Sequence, residues 1–447
     1  MKKFLYLLLA VVQVLLCLTA CSDGWLWEGT EPTEPAVHTY HSEIPTYADN
    51  KEMPMFAYLP PPSTEEWYQS MVDCGFNAVF VKGALGSDTL LNNLELCDKV
   101  GLDAYLTVDK DVSFEPLEAY AQYESFKGII TDEPGPQSQI DLILQNREKL
   151  YSSYPNKDVE YITNFFPNLG GGAANDFLTY EEYVRYYLDN GGKDENVLMF
   201  DIYPLKANGV LDYNWLLRLE SLAPLAKEYD MDFYSFLSTL SIKSQGCRRP
   251  EEDDMRYTSY VNMAYGVKGF GYFCYLTPKW GEFDLEKDFA LIQYEDSADL
   301  STYYKTPTWY AVQTVNNELK ALDHVFLSFD WQGVMKSHGS DATTNSGATC
   351  FLDDMNFLES YDGIKSLSST EDTLLGLFTD ENGYDGFMLV NFADTYYDKE
   401  NTVTLELDGA TRAVVYIKGQ PQVVDLVDGT YTVTLEPGEG QFIIPLS

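Results

Sequence analysis

The chain has 447 residues, 45% of them hydrophobic, which is enough for two or three ordinary domains with real cores. Its 70 acidic residues outweigh 29 basic ones, for a net charge of −41. Self-repulsion on that scale disfavours nucleic acid and anionic membrane surfaces as partners.

Lys2 and Lys3 precede the apolar run FLYLLLAVVQVLLCL, the layout of a bacterial secretory signal. The run ends in LTAC (Leu18 to Cys21), followed by Ser22 and Asp23. These residues resemble the lipobox of bacterial lipoproteins. The resemblance implies a signal peptide over 1–21, lipidation of Cys21, and export of a chain held to a membrane through its N-terminal lipid. Residues 22–52 are rich in Pro, Glu, Thr and Tyr without periodicity, and read as a flexible tether.

From residue 53, short apolar runs alternate with amphipathic ones. The short runs are 55–59, 77–83, 103–108, 126–131, 159–165, 196–203, 232–240 and 269–276. β-Branched and aromatic residues fill them, and turn residues bound most of them, so they predict strands buried on both faces. Ser63 to Glu66 reads as a capping box, with Gly75 placed to end that helix. Helical spacing joins Ile140, Ile143, Leu144, Arg147, Leu150 and Tyr151, and a further helix is expected over 251–265. Eight strands alternating with helices predict an α/β fold, a (β/α)8 TIM barrel. A doubly wound open sheet competes, but no GxGxxG follows the first strand.

Thr306-Pro307 opens another helix, striped by Trp309, Val312, Val315, Leu319 and Leu322. Beyond about Gly333 the runs shorten and alternate, predicting a small C-terminal antiparallel β-sandwich. The expected organisation is therefore a barrel with its trailing helix over 53–332 and a sandwich over 333–447.

A barrel of this kind carries its site where the strands end. The fourth strand ends in Asp132 and Glu133, the third offers Asp109, the fifth Asn164, and the sixth Asp201 and Tyr203. Ser244 and Gln245 follow the seventh; Tyr275, Trp280 and Glu282 follow the eighth. Acids, amides and aromatic rings suit sugars: rings stack on pyranose faces, amides and acids bind hydroxyls. Cleaving a glycosidic bond needs two carboxyl groups. Strand alternation predicts that Asp132 and Glu133 diverge if the strand continues through them, one toward the barrel mouth and the other toward the following loop. The four histidines and seven cysteines show no metal-ligand or disulfide pattern, and no cofactor is called for. Arg248, Arg249 and Arg256 are expected to pair with nearby acids and hold the seventh loop.

The stretch GIITDEPG (128–135) resembles the fourth-strand motif of clan A glycoside hydrolases, in which the strand-end Glu is the acid/base. Arg249 to Arg256, AYGVKGFGYFCY (264–275) and PGEGQFIIPL near the C-terminus also resemble family 42 beta-galactosidase-like enzymes and their relatives. The resemblance implies a glycoside hydrolase with Glu133 as general acid and a carbohydrate substrate. That family's nucleophile is a Glu ending the seventh strand, where this chain has SFLSTLSIKSQG and no carboxylate. Asp201 is the expected second catalytic carboxylate, with Glu282 behind it. Asp132, Asn164, Tyr203, Gln245, Tyr275 and Trp280 are expected to bind substrate. The alternative is a surface lipoprotein that binds glycans on a degenerate hydrolase barrel.

Overall fold

The computed structural model describes residues 38–167, 176–194, 196–279, 289–295, 301–342, 351 and 355–447. The expected signal, lipobox and Cys21 lie outside these residues, as do Trp280 and Glu282. No helix among the described residues is long and apolar enough to cross a membrane.

Eight parallel strands close into a barrel in chain order. They are β1 (Met55–Tyr58), β2 (Ala78–Val81), β3 (Asp103–Val108), β4 (Phe126–Asp132), β5 (Glu160–Phe165), β6 (Val197–Asp201), β7 (Asp232–Ser238) and β8 (Val267–Phe273). Each coincides with one of the expected apolar runs, and pairing of β1 with β8 completes the closure. Alternation along the strands sorts their side chains into two cores. Phe56, Phe80, Tyr105, Ile130, Met199 and Tyr234 fill the barrel interior. Met55, Val79, Val81, Leu106, Ile129 and Phe200 face the helices.

The helices are α1 (Glu65–Asp73), α2 (Asp88–Val100), α3 (Glu118–Ala121), α4 (Gln137–Ser153), α5 (Tyr180–Asp189), α6 (Asn214–Glu228), α7 (Glu252–Ala264) and α8 (Pro307–Phe326). The capping box expected at Ser63 does not form, because the N-cap is one residue later and its N3 position is Trp67. Thr64 is the N-cap of α1 and accepts from the Trp67 amide at 3.4 Å, while Gly75 ends the helix at φ +95° as expected. All five stripe residues of α8 are buried. Helix α7 is buried from Asp254 to Ala264, because the barrel covers one side and the C-terminal sheet the other. Both Arg248 and Arg256 pair with acids as expected, but only Arg248, on Asp254 and Asp394, holds the seventh loop; Arg256 pairs with Glu252 and Asp253 of its own helix and ties it to α8 through Glu318. Arg249 instead lies over the Phe289 ring.

A short hairpin of β9 (Ile292–Tyr294) and β10 (Tyr303–Lys305) follows the barrel. The C-terminal part begins with β11 (Phe329–Ser337), earlier than the alternation suggests. It continues with β12 (Ile364–Ser369), β13 (Thr373–Asp380), β14 (Asp385–Asn391), β15 (Asn401–Leu407), β16 (Arg412–Ile417), β17 (Gln420–Asp425), β18 (Thr430–Leu435) and β19 (Gly440–Leu446). These form a six-stranded antiparallel sheet, β11-β13-β14-β19-β16-β17, and a three-stranded one, β12-β15-β18. Leu375, Leu377, Leu389, Val403, Leu405, Val415 and Ile443 pack between them, which makes a sandwich. The stretch expected as a free tether is anchored at its far end. Tyr40 is buried and donates to the Gly363 carbonyl at 2.7 Å, Tyr47 donates to Asp380 at 3.0 Å, and His41 stacks on Tyr384.

Candidate active site at the barrel mouth

The GIITDEPG stretch crosses from strand to loop. Gly128 sits at φ +153°, where a Cβ would come within 1.9 Å of the Glu160 carbonyl oxygen, so β4 approaches β5 only with a glycine there. Ile129 and Ile130 are fully buried on opposite faces. Strand β4 ends at Asp132, in register with Asn164 of β5. Glu133 then turns to φ +47°, a left-handed conformation uncommon outside glycine. Its amide still donates to the Asn164 carbonyl at 2.8 Å, and its own carbonyl accepts from Lys110 Nζ at 2.7 Å. The loop is pinned beyond that point by the Tyr183 hydroxyl on the Pro134 carbonyl and by the Gly135 amide on Gln139 Oε1.

This turn overrides the expected alternation. Asp132 and Glu133 do not diverge; both line one cavity of about 170 Å³ at the C-terminal mouth, with Tyr58, Asn164, Asp201, Tyr203, Phe236, Ser244, Gln245 and Phe273. The left-handed step at Glu133 breaks the period of two that places neighbours on opposite faces.

Asn164 joins the acids. Its Nδ2 donates to Asp132 Oδ1 at 2.8 Å and to Asp201 Oδ1 at 3.2 Å. Its buried Oδ1 accepts no hydrogen bond among the described residues, so the amide's bonding goes to the two carboxyls. On its other oxygen Asp132 accepts from the Tyr58 hydroxyl at 3.2 Å, and that hydroxyl accepts from Lys82 Nζ at 2.6 Å. A cation therefore stands one hydroxyl behind Asp132. Burial pushes the Lys82 ammonium below its usual range, and the Asp132 charge works against that.

Three carboxyls in a small, poorly hydrated space cannot all ionise freely. Burial, then the Asp132 charge, lifts Glu133 to about 7, with Lys110 pulling the other way. Asp201 is buried and raised well above the carboxylate range, by lost hydration first and then by Glu133 and Asp132; hydrogen bonds from Asn164 and Tyr203 oppose this. Tyr203 stacks on Phe273, ring centres 5.7 Å apart, giving the cavity an aromatic wall.

Of the residues expected from the sequence, Glu133, Asp201, Asp132, Asn164, Tyr203 and Gln245 come together here. Tyr275 does not. Strand β8 stops at Phe273, and Tyr275 turns outward into the helix layer, fully buried against Phe76, its hydroxyl held by Ser70 at 3.0 Å and Trp309 Nε1 at 3.1 Å. Asp109 is taken up in a local turn with the Asp111 amide. Tyr58, Lys82, Phe236 and Phe273 were not singled out in the sequence. Strand β7 ends at Ser238, whose hydroxyl bonds the Leu240 carbonyl, so the seventh strand offers no carboxylate at its end. Among the described residues, no group of three or more His, Cys, Asp or Glu is arranged to hold a metal.

Fold and cavity together define a closed (β/α)8 barrel with a carboxyl-lined site at its C-terminal mouth and an appended β-sandwich. No protein-family model matches the chain, and no curated protein matches it. Among solved structures it is similar to a GH27 β-L-arabinopyranosidase from Geobacillus stearothermophilus (10% identity, 89% of this chain and 97% of that one, TM-score 0.49). It is also similar to a protein from Bacteroides fragilis described as a putative alpha-galactosidase/melibiase (13%, 88% and 79%, TM-score 0.47). A third is a glycoside hydrolase family 30 subfamily 8 xylanase from Clostridium acetobutylicum (10%, 92% and 98%, TM-score 0.40).

Proposed function

We propose that the chain is a glycoside hydrolase, exported and lipid-anchored through Cys21, of the kind its sequence motifs resemble in the family 42 enzymes. One observation carries the catalytic reading: Glu133 is a desolvated carboxyl lifted to about 7, sharing a cavity with a second catalytic candidate, Asp201. A general acid must hold a proton at working pH and still be able to give it up. Glu133 meets that condition, and the hydrogen-bonded Asp132 beside it supplies part of the shift. In the reaction Glu133 protonates the glycosidic oxygen while Asp201 acts at the anomeric carbon, as nucleophile or through a water. The two acids repel, so a proton held on Glu133 eases ionisation of Asp201, and Asn164 and Tyr203 stand ready to bond the resulting carboxylate. Gln245 offers hydrogen bonds to sugar hydroxyls, Tyr203 with Phe273 gives an apolar wall, and Asn164 bridges Asp132 and Asp201 beside the bound ring. Among the described residues the cavity measures about 170 Å³, below the roughly 300–1,000 Å³ of common ligand pockets.

The end of β7 favours a second reading. Ser238 stands where the resembled family places its nucleophile, and a barrel without that group binds glycans without cleaving them. Hydrolysis of a panel of aryl glycosides and oligosaccharides by the natural chain and by Glu133→Gln separates the two. Turnover that falls steeply in the variant supports the hydrolase. Equal turnover in both removes Glu133 from the mechanism, and binding without turnover in the natural chain establishes the binding protein.

A further inference from the structure

The opposite end of the barrel carries a larger polar cleft. About 780 Å³ opens beneath the N-terminal ends of the strands, lined by Lys51, Glu52, Asp230, Asp232, Tyr234 and Lys268 among others. It shares Asp230, Asp232 and Lys268 with an adjoining space of about 560 Å³ that adds Glu160 and Trp331. Both volumes fall within the range of common ligand sites, roughly 300–1,000 Å³.

Two tyrosines of the barrel interior stand on this floor. The Tyr105 hydroxyl is satisfied, donating to Glu160 Oε2 at 2.8 Å. Tyr234 is only 6% exposed and lines the cleft, yet its hydroxyl makes no hydrogen bond among the described residues. Its ring lies over Gly269, where a Cβ would come within 2.7 Å of the ring, so the phenol is placed by close packing and not by a partner. The hydroxyl is open to the cleft, placed to donate to an acceptor bound there.

The rest of the lining narrows the ligand class. Lys268 Nζ lies 3.4 Å from Asp330, and Lys51 Nζ is on the Leu327 carbonyl, so cations and acids interleave without a field of one sign. Burial raises Glu160 and Asp232 above the usual carboxylate range, with Lys268 and Lys51 opposing the rise at Asp232. A polyanion would meet these acids, and a polycation the lysines. Dense donors and acceptors beside the half-buried Trp331 ring suit hydroxyl groups on a ring with apolar faces.

We propose that this cleft is a second carbohydrate site, binding a segment of a neutral oligosaccharide with the Tyr234 hydroxyl as its fixed donor and Asp232 and Lys268 on neighbouring hydroxyls. The choice of carbohydrate rests on the hydrolase reading of the mouth; the existence of a site rests on the cleft and on Tyr234. The site holds substrate and takes no part in bond cleavage.

The full-length chain carrying Glu133→Gln, which blocks turnover, is titrated calorimetrically with cellohexaose, xylohexaose and maltohexaose. At least one is expected to bind with two sites per chain. Adding Tyr234→Phe is expected to weaken one of them about fivefold, the loss of a single hydrogen bond, and Asp232→Asn with Lys268→Met to abolish that site. In chains with Glu133 intact, the same floor substitutions leave hydrolysis of a small aryl glycoside unchanged. Unaltered thermal unfolding of Tyr234→Phe shows that the fold is kept. A single site indifferent to both floor variants, or no binding of any of the three sugars, overturns the proposal. Two sites without turnover by the natural chain would refute the hydrolase reading and leave this one standing; turnover with one site would do the reverse.

Discussion

At the barrel mouth, Asp132, Glu133 and Asp201 share about 170 Å³, and Asn164 bridges two of them. At the floor, Glu160 and Asp232 line spaces several times larger, each beside its own relieving group: a tyrosine hydroxyl for Glu160, lysines for Asp232. Both ends raise their carboxyls by burial. Neighbouring acids add to the rise at both ends; at the mouth burial, then the Asp132 charge, lifts Glu133 to about 7, while at the floor Tyr105 and the lysines oppose the rise.

Variants that separate the two ends test this contrast. Glu133→Gln should lower kcat/KM by about 10²–10⁴ on a cleaved glycoside, the usual contribution of a general acid. Steady-state kinetics checks it, with circular dichroism to confirm folding. Asn164→Ala removes a bond from each of two acids and should lower kcat/KM by about 10–100-fold, the range for hydrogen bonds to charged groups. Tyr234→Phe at the floor should leave the same constant unchanged.

Stability against pH gives a second contrast. Glu133 keeps its proton in the folded chain up to about 7 but releases it near 4.5 when unfolded. The folded state thus binds more protons between those values, and stability falls as pH rises through that window. Glu133→Gln lacks this penalty. It should equal the natural chain near pH 4 and exceed it by up to about 3 kcal/mol above pH 7, read by denaturant unfolding. Glu160→Gln should trend the same way with a smaller gain, because the Tyr105 hydrogen bond already favours its ionised form.

The barrel was legible because strands covered on both faces leave apolar runs that few other elements imitate. All eight runs became strands, and the strand-end rule found Asp132, Glu133, Asn164 and Asp201. The same rule reaches Tyr58 and Lys82, which lie at the ends of the first two strands, but an acid search passes over a tyrosine and a lysine. Two failures have a backbone cause. The left-handed turn at Glu133 cannot be read from a glutamate, so the pair was expected to diverge. Strand β8 ends two residues before Tyr275, which sends that ring to the outer core. The smallest effect follows from this: Tyr275→Phe should cost about 1 kcal/mol of stability through its bonds to Ser70 and Trp309 and leave KM unchanged.

The central claim is that Glu133 holds its proton near neutral pH. Carbon-13 NMR of side-chain-carboxyl-labelled glutamate, with Glu133→Gln to assign the resonance, measures it without a substrate. A midpoint of about 7 is the predicted result. A midpoint near the ordinary 4.5 would leave Glu133 ionised at working pH and contradict its role as the acid.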